Sequence, residues 1–353
     1  MLAINIEDDT IRMVSFKGRR ISFAAEAPVT EGWVQQGVVI DRLAVGQLII
    51  RTLVENRVNE RDVVSCVSAA HSIYRVVPVP KLDRRLLAEA ARREMERASP
   101  VPVDTLYTAW QDVQTQGGQI ALCLLGLPRD NVDSVIDTMT LAGLKLRWLE
   151  LKPLAVSKVI DENRAVTVNV QENGFDIAII DAGIAELVRS LTFPQSGMSD
   201  ADKLGIIKEE LDRTISFHNT GHAELQLNAG TSCFLSGQLP GGLVENSGYA
   251  VRPLPSLVEY PAWADARRFA ANTGLMIREA GGKASPMKVS INPSKKICIR
   301  MCQRRAPRAL RMPISFVRWV TETSMIFTTP TAPMLSVKVP MMPSSTCRPR
   351  LRF

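Results

Sequence analysis

Apolar and polar positions alternate from the second residue onward. Leu2-Ala-Ile-Asn-Ile6 reads as a buried strand, Glu7-Asp8-Asp9-Thr10 as a polar turn, and Ile11 to Phe16 as a second strand. Lys17-Gly18-Arg19-Arg20 is a further turn before Ile21-Ser-Phe23. Asp41 then precedes Leu43, Val45, Leu48, Ile49, Leu53 and Val54 at helical spacing, which predicts a helix capped by the aspartate. Val63 to Val67 is a short buried strand.

From about His71 the pattern changes. Tyr74 to Val79 is a strand closed by Pro80. Asp83 opens a helix running to about Arg97, with Leu87, Ala91 and Met95 on one face. Ser99-Pro100-Val101-Pro102 stops it. Strands at Tyr107–Val113 and Ile120–Leu127 flank a Gln116-Gly117-Gly118 turn. A helix at Asn131–Ala142 ends at Gly143, and Leu144–Leu149 is a strand. The order β-α-β-β-α-β predicts a small α+β unit.

Lys152 to Ile160 reads as a connecting helix, after which the opening pattern returns. Ala165–Val170 and Phe175–Ile180 are strands around Gln171-Glu172-Asn173-Gly174. Asp181-Ala182-Gly183 turns into a strand at Glu186–Phe193. Ile4 to Ile11 matches Val168 to Phe175 class for class, about 164 positions later, so the chain reads as a duplication in which each half opens with a hairpin. An amphipathic helix at Asp200–His218, a strand at Thr231–Leu235 ending in Ser236-Gly237, and an Ala-rich helix at Ala264–Ile277 complete the second half.

Composition changes the picture at one place. The 353 residues carry a net charge of +7, which invites a nucleic-acid reading. Residues 283–353, however, hold 14 basic residues and one acid, Glu322, and no Gly, Asp, Tyr or His. The preceding 282 residues hold 29 basic against 35 acidic residues, so the body is mildly acidic and no nucleic-acid partner is expected. No apolar run approaches the ~20 residues of a membrane-spanning helix, and no signal peptide is read at the start. Cys66, Cys123 and Cys233 lie far apart in apolar runs and read as buried thiols of a cytoplasmic protein. The basic tail reads either as a disordered segment that binds anionic lipid or as translation in a shifted frame. Its Met/Pro/Arg/Cys mixture without Gly or Asp favours the second.

Three stretches carry a family resemblance. They are Pro78–Asp83 through Glu89–Glu94 to Ser99–Pro102; Leu125–Arg129 with Val132-Asp133 and Leu141–Leu144; and Glu210–Phe217. With the closing Asn272–Ile277, their order and spacing resemble the PilM family, actin-like cytoplasmic components of type IV pilus assembly related to FtsA. The resemblance covers about residues 1–279. It implies an α/β, actin/Hsp70-like fold of duplicated ribonuclease-H-like domains with an inserted β-α-β-β-α-β subdomain. The boundaries it implies are 1–70 with the connecting segment 151–163 for the first half, 71–150 for the insert, and 164–282 for the second half, before the tail at 283–353. Met287–Pro293 is similar to the start of PilN, the family's membrane partner, without the two Leu of its Ile-Asn-Leu-Leu-Pro run.

In this fold each phosphate hairpin reads Asp-[Ile/Val]-Gly. The Asp orders Mg²⁺ and water, and the Gly admits backbone N–H groups to the phosphates. Here the Asp positions hold Asn5 and Asn169 and the Gly positions hold Glu7 and Gln171. The resemblance gives as nucleotide-site positions Asn5, Asp8, Asp9 and Thr10 in the first hairpin, Asn169, Glu172, Asn173 and Gly174 in the second, and Ser236 and Gly237 in the adenosine loop. A carboxylate about 4 Å from a phosphate oxygen repels by ~4 kcal/mol per charge pair at an effective dielectric near 20. Bound ATP and Mg²⁺ are therefore disfavoured, no catalytic residue is assigned, and an ATPase is not expected. His218 and His222 stand at metal-pair spacing but without a third ligand, Cys298 and Cys302 lack a matching second pair, and Ser72 beside His71 lacks a nucleophile context. The resemblance implies a scaffold at the inner membrane that binds the N-terminal tail of a PilN-like membrane protein, with pilus motor and platform proteins as further partners. It would reach the membrane only through them. The alternative is an FtsA-like, ATP-binding division protein.

Overall fold

The structure is a computed structural model and describes residues 1–17, 20–80, 82–114, 120–221, 226–277, 287–292 and 295–300. The first part of the chain gives β1 (Leu2–Ile6), β2 (Thr10–Lys17), β3 (Arg20–Pro28), the two-residue strands β4 (Val34–Gln35) and β5 (Val38–Val39), α1 (Arg42–Glu55) and β6 (Asp62–Val67). β7 (Ile73–Val79), α2 (Arg84–Ala98), β8 (Leu106–Gln114), β9 (Ile120–Pro128), α3 (Arg129–Leu141), β10 (Lys145–Leu151) and α4 (Lys152–Ser157) follow. The second part holds β11 (Ala165–Gln171), β12 (Gly174–Asp181), β13 (Ile184–Thr192), α5 (Asp200–Gly221), β14 (Ser232–Gly237), α6 (Leu243–Asn246), β15 (Ala250–Arg252) and α7 (Ala270–Met276). β16 (Met287–Asn292) and β17 (Lys295–Arg300) come last.

The duplication is visible in the sheets. One contains the order β3-β2-β1-β6-β10, the other β13-β12-β11-β14-β15. In both, three antiparallel strands are joined to two parallel ones. The hairpins repeat in register: Asn5 faces Arg12 across β1–β2, and Asn169 faces Asp176 across β11–β12. Each sheet packs a helix on its apolar side. α1 buries Val45, Leu48, Ile49 and Leu53, and α5 buries Ile207, Leu211 and Ile215. Asp41 caps α1 by accepting from the Ala44 N–H at 2.9 Å, as the sequence predicts. Where the halves meet, α4 crosses α7 at Gly274, where a Cβ would stand 1.7 Å from the Ala155 carbonyl oxygen. Only glycine permits that approach.

Two boundaries differ from the sequence reading. The insert is a three-stranded sheet, order β7-β9-β8, covered by α2 through Leu87, Ala91 and Met95. β10 belongs to the first half's sheet, pairing parallel with β6, and α3 packs on α1. The expected β-α-β-β-α-β unit is thus β-α-β-β, and α3 and β10 complete the first half. The buried face of α3 (Val132, Val135, Ile136, Met139) is spent there. The second difference lies in the basic tail, which the sequence reads as disordered or as translated in a shifted frame: β16 and β17 lie within it. They form a hairpin that extends the first sheet from β10, with Trp148 to Glu150 paired to Cys298 to Arg300. β10 would otherwise leave a row of backbone groups unpaired. The rest of the tail lies outside the described residues. The connecting helix ends at Ser157 rather than Ile160, and the last helix begins at Ala270 rather than Ala264.

Candidate functional site: two mated hairpins

Glu7 stands where the resembling family has glycine, and it points into the protein. It is 4% exposed and ion-paired to Arg12 from β2 and, at 3.2 Å, to Lys152 at the start of α4. The Asn5 amide donates to it at 3.0 Å, and the Cys66 thiol donates to the Asn5 carbonyl oxygen at 3.1 Å. Burial opposes the charged carboxylate, but Lys152 and Arg12 outweigh it and hold the Glu7 pKa at about 2. Burial likewise opposes the Lys152 ammonium, and Glu7 and Asp176 reverse that and raise its pKa. Lys152 Nζ also donates to Gln171 Oε1 of the second hairpin at 2.8 Å, and Gln171 Nε2 donates to Asp176 at 3.0 Å. Burial pushes the Asp176 carboxyl upward against the pull of Lys152.

Asp8 and Asp9, expected to face a triphosphate, are engaged by protein donors. Asp8 accepts from the backbone N–H of Gln36 (3.0 Å) and Gly37 (2.8 Å), and from the Asn173 amide (3.0 Å). Asp9 accepts from Gln238 Nε2 at 2.6 Å. The Thr10 hydroxyl donates to the Ala27 carbonyl at 3.4 Å, holding β2 to β3. In the second half, Asn169 accepts from the Ser236 hydroxyl at 3.0 Å, and both are buried. Glu172 turns to α5, accepting from Lys203 at 3.1 Å. Gly174 lies against the β13 backbone, where a Cβ would meet the Leu191 oxygen at 2.3 Å. Gly237 has φ +85°, and a Cβ there would stand 1.9 Å from the Val170 oxygen. Its glycine is required by the backbone alone.

The structure therefore brings Asp8 to Asn173 across the halves but does not gather the ten candidate residues around one open site. The sequence reading left Arg12, Lys152 and Asp176 out of the site. The available signal was a charge at an inward position of an apolar strand or helix start, which is rarely buried without a partner. Among the other candidates, His218 is buried and pairs with Glu186 at 3.1 Å, while His222 and Cys302 lie outside the described residues. Cys66, Cys123 and Cys233 are free and buried, and burial pushes each thiol up to about 12, which makes them inert. No helix among the described residues is long and apolar enough to cross a membrane.

Beyond the hairpins opens a cleft of about 1810 Å³, walled by Val34 and Ile40 of the first half, Tyr74 and Val101 of the insert, and Val188 and Phe193 of the second half. Ile40 and Val101 are about half exposed there.

No protein-family model and no curated protein matches the sequence. Solved structures do match. One described as a PilM-PilN type IV pilus biogenesis complex superposes with a TM-score of 0.65 at 21% identity, over 78% of this chain and 96% of that one. The cytoplasmic domain of EpsL, an inner membrane component of the type II secretion system of Vibrio cholerae, gives 0.46 at 11% identity over 72% and 91%. The ethanolamine utilization protein EutJ from Carboxydothermus hydrogenoformans gives 0.45 at 12% identity over 78% and 88%. At these identities the likeness is one of fold: the chain has the actin-like fold, two duplicated halves facing a cleft, with an inserted α+β subdomain.

Proposed function

We propose that the chain is a non-enzymatic, actin-like scaffold of a type IV pilus assembly platform. It grips the extended N-terminal tail of a PilN-like membrane protein and is tied to the inner membrane through that partner and other platform proteins. The observation that carries the non-enzymatic part is the engagement of Glu7, Asp8 and Asp9 by protein donors in the hairpin where a nucleotide's phosphates would lie. A glycine position filled by a buried, ion-paired glutamate leaves no room for close backbone approach to a phosphate. The pilus part is supported by the fold shared with a PilM-PilN complex over nearly all of that chain. A half-apolar cleft beside the insert has the character of a groove for an extended peptide.

Calorimetry of the full chain with a peptide of a PilN-like partner's N-terminus tests this. Saturable binding at micromolar peptide is expected, and no heat at high micromolar peptide overturns the partner assignment. A thermal-shift assay with ATP and Mg²⁺ tests the non-enzymatic reading. A nucleotide-binding protein at one-hundredfold excess over Kd gains ~2.7 kcal/mol, and a flat melt is expected here.

A further inference from the structure

We propose that the first hairpin is an internal latch: its carboxylates, with Lys152, hold the two halves together across the cleft through contacts made by the chain's own side chains. The inference rests on the non-nucleotide reading of the hairpins but not on the identity of any partner.

Among the bonds that join the first half and α4 to the second half, three run through Asp8, Asp9 and Lys152. Asp8 takes the Asn173 amide at 3.0 Å, and Asp9 takes the Gln238 amide at 2.6 Å. Lys152 joins Glu7 to Gln171, at 3.2 and 2.8 Å. Each pairs an ionised group with a donor or acceptor, the stronger class of hydrogen bond. In hinged two-lobed proteins closure is ordinarily favoured by a ligand that touches both lobes. Here the side chains make those contacts themselves.

The local backbone is arranged for a carboxylate. Gln36 and Gly37 are successive left-handed residues, with φ +51° and +77°. They form the two-residue turn between β4 and β5, and their two consecutive N–H groups face the same side, one toward each oxygen of a carboxylate. That carboxylate is Asp8, at 3.0 and 2.8 Å. At Gly37 a Cβ would stand 2.2 Å from Ser68 Cβ, so the turn is held from behind as well. The turn and the carboxylate seated on it come from the same half, while the third donor, Asn173, comes from the other. Asp8 thus couples the turn to closure. A partner meets one preorganised shape, with no hydrolysis step to open it.

The test uses the full chain and two readouts, small-angle scattering and amide hydrogen exchange. The Asp8→Ala/Asp9→Ala variant is expected to open. Its radius of gyration rises, and exchange in residues 34–39 and 236–240 speeds by about tenfold or more, while exchange in β9 stays as in wild type. The Asn173→Ala/Gln238→Ala variant removes the same bridges from the donor side and leaves the first hairpin intact. It is expected to show the same opening, and it keeps the test available if the acidic pair is needed for folding. Unchanged scattering and unchanged exchange in the donor-side variant overturn the latch. Peptide titration of the same samples separates the two ideas: a closed chain that ignores the peptide fails the partner reading only, and an open wild-type chain that binds it fails the latch only.

Discussion

The two hairpins share a backbone and an asparagine, and differ in the chemistry built around it. Asn5 and Asn169 occupy the same place, each facing a charged residue across its hairpin, Arg12 in the first half and Asp176 in the second. Two residues on, the first half has Glu7 and the second Gln171. One hairpin is thus built around a buried acid–base pair and the other around an amide next to a buried acid, with Lys152 between them. Duplication supplied matching geometry, and divergence made the two turns complementary at one contact, where Asp8 of the first accepts from Asn173 of the second. A symmetric pair of carboxylate turns would repel across the cleft.

The largest expected effect breaks this asymmetry directly. Glu7→Gln leaves Arg12 and Lys152 buried with one counter-charge fewer, and removing one member of a buried ionic cluster costs about 3–5 kcal/mol. Urea unfolding should show a lower midpoint with an unchanged slope. Gln171→Ala, at the equivalent place, leaves the Lys152–Glu7 pair standing and should cost about 1 kcal/mol. Equal losses would mean that the hairpins carry equal weight.

Acid sharpens the same contrast. The Glu7 carboxyl is lowered from 4.5 to about 2, so its charge stabilises the fold in full above about pH 4.5 and the benefit is lost as pH falls toward 2. A shift of that size corresponds to about 3 kcal/mol. Asp176 acts oppositely: its carboxyl is raised above 3.8, the folded chain binds its proton more readily, and acidification restores stability there. Stability measured from pH 5 to 2 should fall less steeply in Glu7→Gln than in wild type and more steeply in Asp176→Asn.

Gly237 comes next. Its φ of +85° and the Val170 oxygen 1.9 Å from a would-be Cβ make Gly237→Ala destabilising on the order of 3 kcal/mol. Gly241, with normal φ and only the Asp200 side chain at 3.4 Å, should tolerate alanine within about 0.5 kcal/mol, read by thermal melts of both variants. If both lose alike, the glycine requirement belongs to the loop as a whole rather than to the closeness of β11.

Much of this was legible in the sequence, and the reason lies in periodicity. β1–β2 and β11–β12 are nearly continuous apolar runs broken by polar turns, so the repeat appears in residue classes alone. The insert was legible as a unit but not its end. α3 is amphipathic whichever body it serves, and nothing local tells Val132 or Met139 that their partners lie on α1. Glu7, at a position where the family resemblance leads one to expect glycine, stood out in the sequence too. Its consequence was not legible, because Glu7 meets Lys152 only after the chain has passed through the whole insert, and Asp9 meets Gln238 only in the second half. Contacts so distant in sequence leave no local pattern.

The smallest effect asks which hairpin holds Asp8. Asn173→Ala removes one of its three donors and leaves the Gln36 and Gly37 N–H groups in place, a loss of about 1 kcal/mol. Asp8→Ala removes the acceptor from all three and strips two backbone N–H groups of their partner in a left-handed turn. Its loss should exceed that of Asn173→Ala, since three hydrogen bonds to a charged acceptor are lost rather than one. Thermal melts of the two single variants and the double give the coupling. A coupling near the full Asn173→Ala loss means that the amide stabilises only through Asp8, as two complementary copies require. A coupling near zero would mean that Asn173 earns its stability within its own hairpin, and that the acceptor and donor turns are not matched.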